Sequence, residues 1–188
     1  MEKHPLKPFK FLFYNLIMVA ILDKMKDPGE VTRIMIGVLI GLTMYPVVRD
    51  SAEDLKQVSY YIYDSTTGEC TAANKDDPGA EALAPYQDIL YDLVPLSFAW
   101  FLMDTILNVD KGGIKDIAMV SIQFSVGSII ILGLLEGFTP QVAEAICEAK
   151  QGSGIADTIM GLLGYVYPLL PAGAFGGVEA LTRFTRKK

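Results

Sequence analysis

Five stretches of apolar residues, separated by charged segments, constrain the fold of this chain more than any other feature. A helix that crosses the hydrocarbon core of a bilayer needs about 20 residues, with about 17 as the lower limit. Along the chain, the stretches run from Phe9 to Leu22, Ile34 to Val48, Ile89 to Leu107, Ile117 to Leu135 and Ile155 to Leu181. The first has only 12 residues between Lys10 and Asp23, whereas the second reaches the limit once Val31 and Thr32 are added. The last four stretches are therefore predicted to cross a membrane.

The composition favours a membrane protein over a soluble one. Of the 188 residues, 51% are hydrophobic and only 20% are charged, whereas about a quarter of a soluble domain is charged. Apolar helices can also lie inside a large soluble core. A chain of this length, however, has too much surface to enclose four such helices in polar structure. The sequence therefore predicts an all-α integral membrane protein whose four transmembrane helices form two hairpins.

The first apolar stretch is interpreted differently because cationic residues flank both of its ends. Lys7 and Lys10 lie at its start, and Lys24 and Lys26 follow it. We expect an interfacial or re-entrant helix whose lysines lie at the level of the lipid headgroups. A tilted fifth crossing is the alternative.

The distribution of charge predicts the orientation of the crossings. Residues 1–33 contain six basic and four acidic residues, whereas residues 49–88 contain three basic and nine acidic residues. Residues 136–154 carry a net charge of −2. Because Lys and Arg concentrate on the cytoplasmic side of membrane proteins, both termini are predicted to be cytoplasmic. The segments 49–88 and 136–154 are then extracytoplasmic.

This orientation divides the chain into five parts. A short turn containing Lys111 and Lys115 separates the two hairpins. The parts are a cytoplasmic N-terminus with the interfacial helix (1–33), a first transmembrane hairpin with a long acidic outer loop (34–107), a cytoplasmic turn (108–116), a second transmembrane hairpin (117–181) and a basic cytoplasmic tail (182–188).

The long outer loop is predicted to be ordered. Residues 58–63 are β-branched and aromatic, and a turn-like sequence follows at 64–68. Tyr60, Tyr61 and Tyr63 are candidate partner-binding residues, because tyrosine is enriched at protein interfaces. A tyrosine belt at the level of the lipid headgroups is the alternative.

The two cysteines are a candidate disulfide. Cys70 and Cys147 lie in the two segments predicted to be extracytoplasmic, where the environment is often oxidising. A bridge between them would join positions 77 residues apart and restrict both segments. Two independent thiols are the alternative, because sequence does not show whether the two backbones approach each other.

The residue inventory argues against several kinds of chemistry. A net charge of −6 argues against a nucleic-acid partner, which requires a basic surface. One His and two Cys leave no plausible metal site or His-based catalytic set. No phosphate-binding glycine loop or nucleophile motif is present. The sequence therefore predicts no enzymatic activity, no cofactor and no metal.

A few polar residues lie within the apolar stretches. Asp104 is the deepest carboxylate, although it lies only three residues from Leu107. Together with Ser121, Gln123 and Ser125 it forms a candidate intramembrane polar site, because polar groups inside a membrane are costly. Serines on a shared helix face are also suited to hydrogen bonding between helices.

Pairs of glycines give the clearest positive signal. Each pair has the spacing G-x-x-x-G, which lets a second helix approach closely in lipid. Glycine is also frequent in membrane helices in general. The pairs, which occur in three of the four predicted crossings, are Gly37 and Gly41, Gly133 and Gly137, and Gly173 and Gly177.

Two functions are compatible with these features. The first is a structural or scaffolding subunit of a larger membrane-embedded assembly, such as a virion envelope, a multisubunit membrane complex or the base of a surface appendage. Its expected partners are the lipid bilayer and other membrane protein subunits, including copies of itself. The alternative is a small transporter or channel in which Asp104 and the face formed by Ser121, Gln123 and Ser125 line a path.

Overall fold

The computed structural model describes residues 27–109 and 113–186. The interfacial or re-entrant helix predicted over residues 9–22 lies outside the described residues. So do the centre of the turn at 108–116 and the last two residues of the tail.

The described part of the chain is mostly helical. The strands are β1 (Tyr60–Asp64), β2 (Glu69–Ala73) and β3 (Glu81–Ala82). The helices are α1 (Pro28–Gln57), α2 (Gln87–Asp92), α3 (Val94–Leu107), α4 (Ile114–Gln151), α5 (Ile155–Val166) and α6 (Leu170–Arg186), with a 3₁₀ turn (Tyr167–Leu169) between α5 and α6.

Helix α1 begins at a well-formed cap and is longer than its apolar stretch. The Asp27 side chain accepts a hydrogen bond of 2.8 Å from the Gly29 backbone N–H, and Pro28 occupies the first helical position. Both features stabilise a helix start, because the first N–H groups of a helix have no partner within it. The helix continues through Pro46 to Gln57, beyond the end of the stretch at Val48.

Prolines divide two of the predicted crossings. Proline lacks a backbone N–H and its ring crowds the preceding turn, so it breaks or kinks a helix. Pro95 lies at the start of α3, immediately after α2 ends. Pro168 lies in the 3₁₀ turn, and Pro171 lies in the first turn of α6.

Helix α4 differs most from the sequence expectation. It has 38 residues and continues to Gln151, whereas residues 136–154 are expected to form a loop. Its C-terminal part buries Ala143, Ile146 and Cys147 against the strands. This contact with a distant part of the chain stabilises the helix beyond the point at which its apolar stretch ends.

Four helical segments are long and apolar enough to cross a membrane. These are Pro28–Gln57, Gln87–Leu107, Ile114–Gln151 and Ile155–Thr185. Their length and composition are consistent with an integral membrane protein, as the sequence predicts.

Helix α4 is the central element of the bundle. It packs against α1, α3, α5 and α6, and also against β1 and β2. Three aromatic rings from different helices meet in the main core: the Phe98 ring centroid lies 5.6 Å from that of Phe124 and 5.9 Å from that of Phe175. These rings hold α3, α4 and α6 together by burying large apolar surfaces.

A three-stranded antiparallel sheet follows α1, so the fold is not entirely α. Strand β1 lies in the centre, with β2 and β3 on its two sides. Its aromatic sequence and the turn after it are those that the sequence predicts to be ordered. At that turn the Asp64 side chain accepts a 2.8 Å hydrogen bond from the Thr66 N–H, and Gly68 adopts a φ of +77° that glycine tolerates.

Candidate functional site

A disulfide bridge ties the sheet to the C-terminal part of α4. The Cys70 and Cys147 sulfurs are 2.04 Å apart and the Cα atoms are 6.0 Å apart, across a sequence separation of 77. Cys147 is fully buried and Cys70 is half-buried. This bridge agrees with the pairing that the sequence favours.

Tyr61 is the centre of a polar network beside the bridge. Its hydroxyl accepts a hydrogen bond of 2.9 Å from Lys150 Nζ and donates one of 3.2 Å to Glu81 Oε2. Burial, followed by the neighbouring Glu81 carboxylate, raises the pKa of Tyr61 to about 12. The hydroxyl therefore stays protonated at neutral pH and keeps both hydrogen bonds. The sequence does not indicate that Lys150 belongs to this network, because its partner Tyr61 lies 89 residues away.

The candidate partner-binding tyrosines are largely occupied within the chain. Tyr60 and Tyr61 are 7% and 2% exposed, and Tyr60 donates a 2.9 Å hydrogen bond to Asp88. Only Tyr63 is half-buried. Two of the three rings thus pack against this chain, and Tyr63 alone retains surface for another molecule.

Asp104 is part of a cluster of three charged residues between α3 and α6. Arg183 donates hydrogen bonds to both Asp104 and Glu179. The Asp104 carboxylate also accepts a 2.9 Å hydrogen bond from Asn108 Nδ2. The side chains of Asp104 and Arg183 are each 42% exposed, whereas that of Glu179 is 9% exposed. One guanidinium therefore pairs with two carboxylates, one from α3 and one from α6. Glu179 and Arg183 are four residues apart, a spacing typical of helical ion pairs.

The other polar candidates are divided between two sides of α4. Ser121 and Ser125 are fully buried, and their hydroxyls have no hydrogen-bond partner among residues 27–109 and 113–186. Gln123 is exposed on the surface of the helix. The structure does not place these three residues on one face.

The three glycine pairs have different surroundings. A Cβ atom at Gly37 would lie 2.6 Å from Ile106 Cδ1, and one at Gly41 would lie 2.5 Å from Leu102 Cδ2. The first pair therefore allows α1 to pack closely against α3. Within the described part of the chain, a Cβ atom would meet nothing within 4 Å at Gly133, Gly137, Gly173 or Gly177. These last four glycines are exposed.

No group of three or more His, Cys, Asp or Glu side chains in the described ranges is arranged to hold a metal ion. The Asp104, Glu179 and Arg183 cluster includes its own counter-ion and lacks a third acidic ligand.

Comparison with known proteins identifies no relative of this chain. No family model matches it, and neither a curated protein nor a solved structure matches it.

Proposed function

We propose that this protein is a structural subunit of a larger membrane-embedded assembly, such as a virion envelope, a multisubunit membrane complex or the base of a surface appendage. The observation that carries the proposal is that two G-x-x-x-G pairs are exposed on different helices, α4 and α6. Helices associate in lipid through close packing, because lipid tails are as apolar as the side chains. Two open faces of this kind suit a subunit that contacts more than one neighbour.

The second open face lies on α6 and is bordered by large apolar residues. Gly173 and Gly177 are followed on the same side by Leu181 and Phe184, which are 66% and 72% exposed. Such a face combines close backbone approach with apolar side chains that a neighbouring helix can cover. It is a suitable contact for a different subunit.

The proposed orientation has both termini in the cytoplasm and the segments 49–88 and 136–154 outside. The distribution of Lys and Arg supports this arrangement, because segments 49–88 and 136–154 contain three and one of them, against six in residues 1–33 and four in residues 182–188. The disulfide also supports it, because a bridge between Cys70 and Cys147 requires the two segments to lie on the same side.

Single-cysteine labelling tests this orientation. The chain contains only two Cys, which are bridged, so an introduced Cys is the only free thiol. An impermeant maleimide should label Thr66→Cys and Gln151→Cys from outside. Gly112→Cys and Thr185→Cys should react only after the membrane is opened. External labelling of Gly112→Cys would contradict the four-crossing arrangement.

A transporter or channel is the second candidate, and the charged cluster is the observation that favours it. Two carboxylates sharing one guanidinium between α3 and α6 could bind and release a proton or cation. Asp104 and Arg183 each lie three residues from the end of their helix, and the guanidinium already pairs with both carboxylates, which argues for a structural ion pair instead.

One set of variants separates the two functions. The complex extracted in a mild detergent should be larger than a monomer. We expect Gly177→Leu to reduce its recovery because the side chain blocks backbone approach, at a cost of about 1–3 kcal/mol. Gly161→Leu is the matched control, because that position on α5 is also open. Asp104→Asn should leave the complex intact, since Arg183 still pairs with Glu179.

Liposome flux with the same proteins completes the test. If the protein is a structural subunit, liposomes containing the wild type or Asp104→Asn should show no ion or solute flux. Wild-type flux that Asp104→Asn abolishes would support the transporter. A wild-type protein that is a lone monomer in mild detergent would contradict the structural proposal.

A further inference from the structure

One face of α4 combines an exposed carboxamide with an open glycine pair. Gln123, Val126, Ile130, Gly133 and Gly137 are all exposed, and they are separated by three, four, three and four residues. This spacing places them in a single line along the helix, as in the seam of a coiled coil. We call these five residues the α4 seam.

Gln123 is the unusual member of the seam. It lies six residues beyond Ile117, which is about 9 Å along the helix axis from the start of the apolar stretch. Its carboxamide forms no hydrogen bond with any residue in the described ranges. On its outer side its exposed neighbours Met119, Ile122 and Val126 are suited to lipid. It also lines grooves with Asp116, Thr182 and Thr185, whose side chains form their hydrogen bonds elsewhere. A carboxamide facing hydrocarbon without a partner is unfavourable, because both its donor and its acceptor lose their hydrogen bonds to water.

We propose that the α4 seam binds the same seam of a second copy of this chain, with the two Gln123 carboxamides hydrogen-bonded to each other. This inference deepens the proposed function, and rests on it, by naming the neighbour at one of the two open faces.

The depth of Gln123 in the membrane is the reason for proposing a second copy of this chain as the partner. Two copies inserted with the same orientation are related by a twofold axis along the membrane normal, so residue 123 lies at the same depth in both. A carboxamide has both a donor and an acceptor and is therefore complementary to itself. A different subunit would need its own polar group at that depth, and a lipid tail has none.

The rest of the seam allows the two helices to approach. Residues 117–135 contain no Asp, Glu, Lys or Arg, so no like charges oppose each other along this part of α4. Gly133 and Gly137 have no side chains to separate the backbones. A groove of about 430 Å³ lies beside the seam, between α4 and α6. Its α4 wall, which includes Gln123, Gly127 and Ile130, provides room for side chains of the second copy.

Cysteine cross-linking of the purified chain in liposomes tests the geometry. Val126→Cys places a thiol on the seam, whereas Ile159→Cys places one on the exposed surface of α5, where Ile159 is 55% exposed. Under mild oxidation, Val126→Cys should form a covalent dimer and Ile159→Cys should not. Equal cross-linking at the two positions would indicate random collision and would overturn the proposal.

The contribution of the carboxamide is measured by the dimer dissociation constant, from energy transfer between labelled copies at increasing lipid dilution. Gln123→Leu should weaken the dimer by about 3- to 30-fold, the range measured for hydrogen bonds between membrane helices. Gln123→Asn, which keeps the amide, should retain part of the affinity. A dimer unchanged by Gln123→Leu would overturn the proposal. The thermal midpoint of each variant in dilute detergent shows that the monomer remains folded.

The two proposals can fail separately. If Gly177→Leu reduces the extracted complex while the seam neither cross-links nor depends on Gln123, the assembly function stands and the second copy at α4 is excluded. If the purified chain dimerises through the seam but no larger complex exists, the second copy at α4 stands and the assembly function is excluded.

Discussion

Removing the Cys70–Cys147 bridge is expected to produce the largest loss of stability of any single change. The bridge connects positions 77 residues apart and holds the sheet against α4. The chain-entropy relation for a loop of this length gives about 4 kcal/mol, as an upper limit, because a membrane-anchored unfolded chain is already restricted. Cys70→Ser should therefore lower the thermal midpoint in detergent substantially, and reduction of the wild type should have a similar effect.

The choice of cysteine matters for this experiment. Cys70 is half-buried, whereas Cys147 is fully buried among Tyr61, Ile146 and other core residues. Cys147→Ser would add the cost of burying a hydroxyl, so Cys70→Ser is the cleaner variant. In the intact protein no thiol should react with an alkylating reagent until the disulfide is reduced. Two reactive thiols in the native protein would refute the bridge.

Gly41→Leu is expected to have the second largest effect on the stability of the single chain. A Cβ atom at this position would lie 2.5 Å from Leu102 Cδ2, so a larger side chain must displace the buried Leu102 side chain or push α1 away from α3. Overpacking of this kind costs about 1–3 kcal/mol and occasionally more. The thermal midpoint of the monomer should fall.

Gly177→Leu is the matched comparison for that variant. Apart from the backbone of α6 itself, no atom of the described chain would lie within 4 Å of a Cβ atom at Gly177. The same substitution should therefore leave the monomer stability unchanged. An equal loss of stability in both variants would mean that the loss in Gly41→Leu is not caused by the packing of α1 against α3.

The positions of the four helical segments that are long and apolar enough to span a membrane could be predicted because hydropathy is a local property of the sequence. The ends of the helices could not. The apolar stretch that begins at Ile117 ends before Glu136, yet α4 continues to Gln151. Ile146 and Cys147 are buried there by strands that lie far away in sequence, and no pattern within α4 specifies that contact.

The sheet was only partly predictable for the same reason. The aromatic residues of β1 and the turn after them have recognisable local signals. The pairing of Tyr61 with Glu81 in β3 and the hydrogen bond from Lys150 depend on tertiary structure. These contacts bury Tyr60 and Tyr61, which is why two candidate interface residues are turned toward the chain itself.

The glycine pairs show how one motif can have different surroundings. Gly41 and Gly177 both belong to a G-x-x-x-G pattern. Among the described residues, a Cβ atom would contact a side chain of another helix at Gly41 but not at Gly177. The pattern specifies that a close approach is possible and contains no information about which helix approaches. Likewise, the spacing of Asp104 from its partner Arg183, 79 residues away, gives no signal in the sequence.

The length of α4 determines how far the sheet lies from the opposite end of the helical bundle. At 1.5 Å per residue its 38 residues extend about 57 Å, nearly twice the thickness of a hydrocarbon core of about 30 Å. One helix, with Pro140 inside it, therefore bears both the apolar contacts of the bundle and the bridged sheet. The disulfide and the packing of β1 and β2 on α4 couple the sheet to this helix, so a rotation of α4 about its axis would carry Tyr63 and the acidic surface around it along.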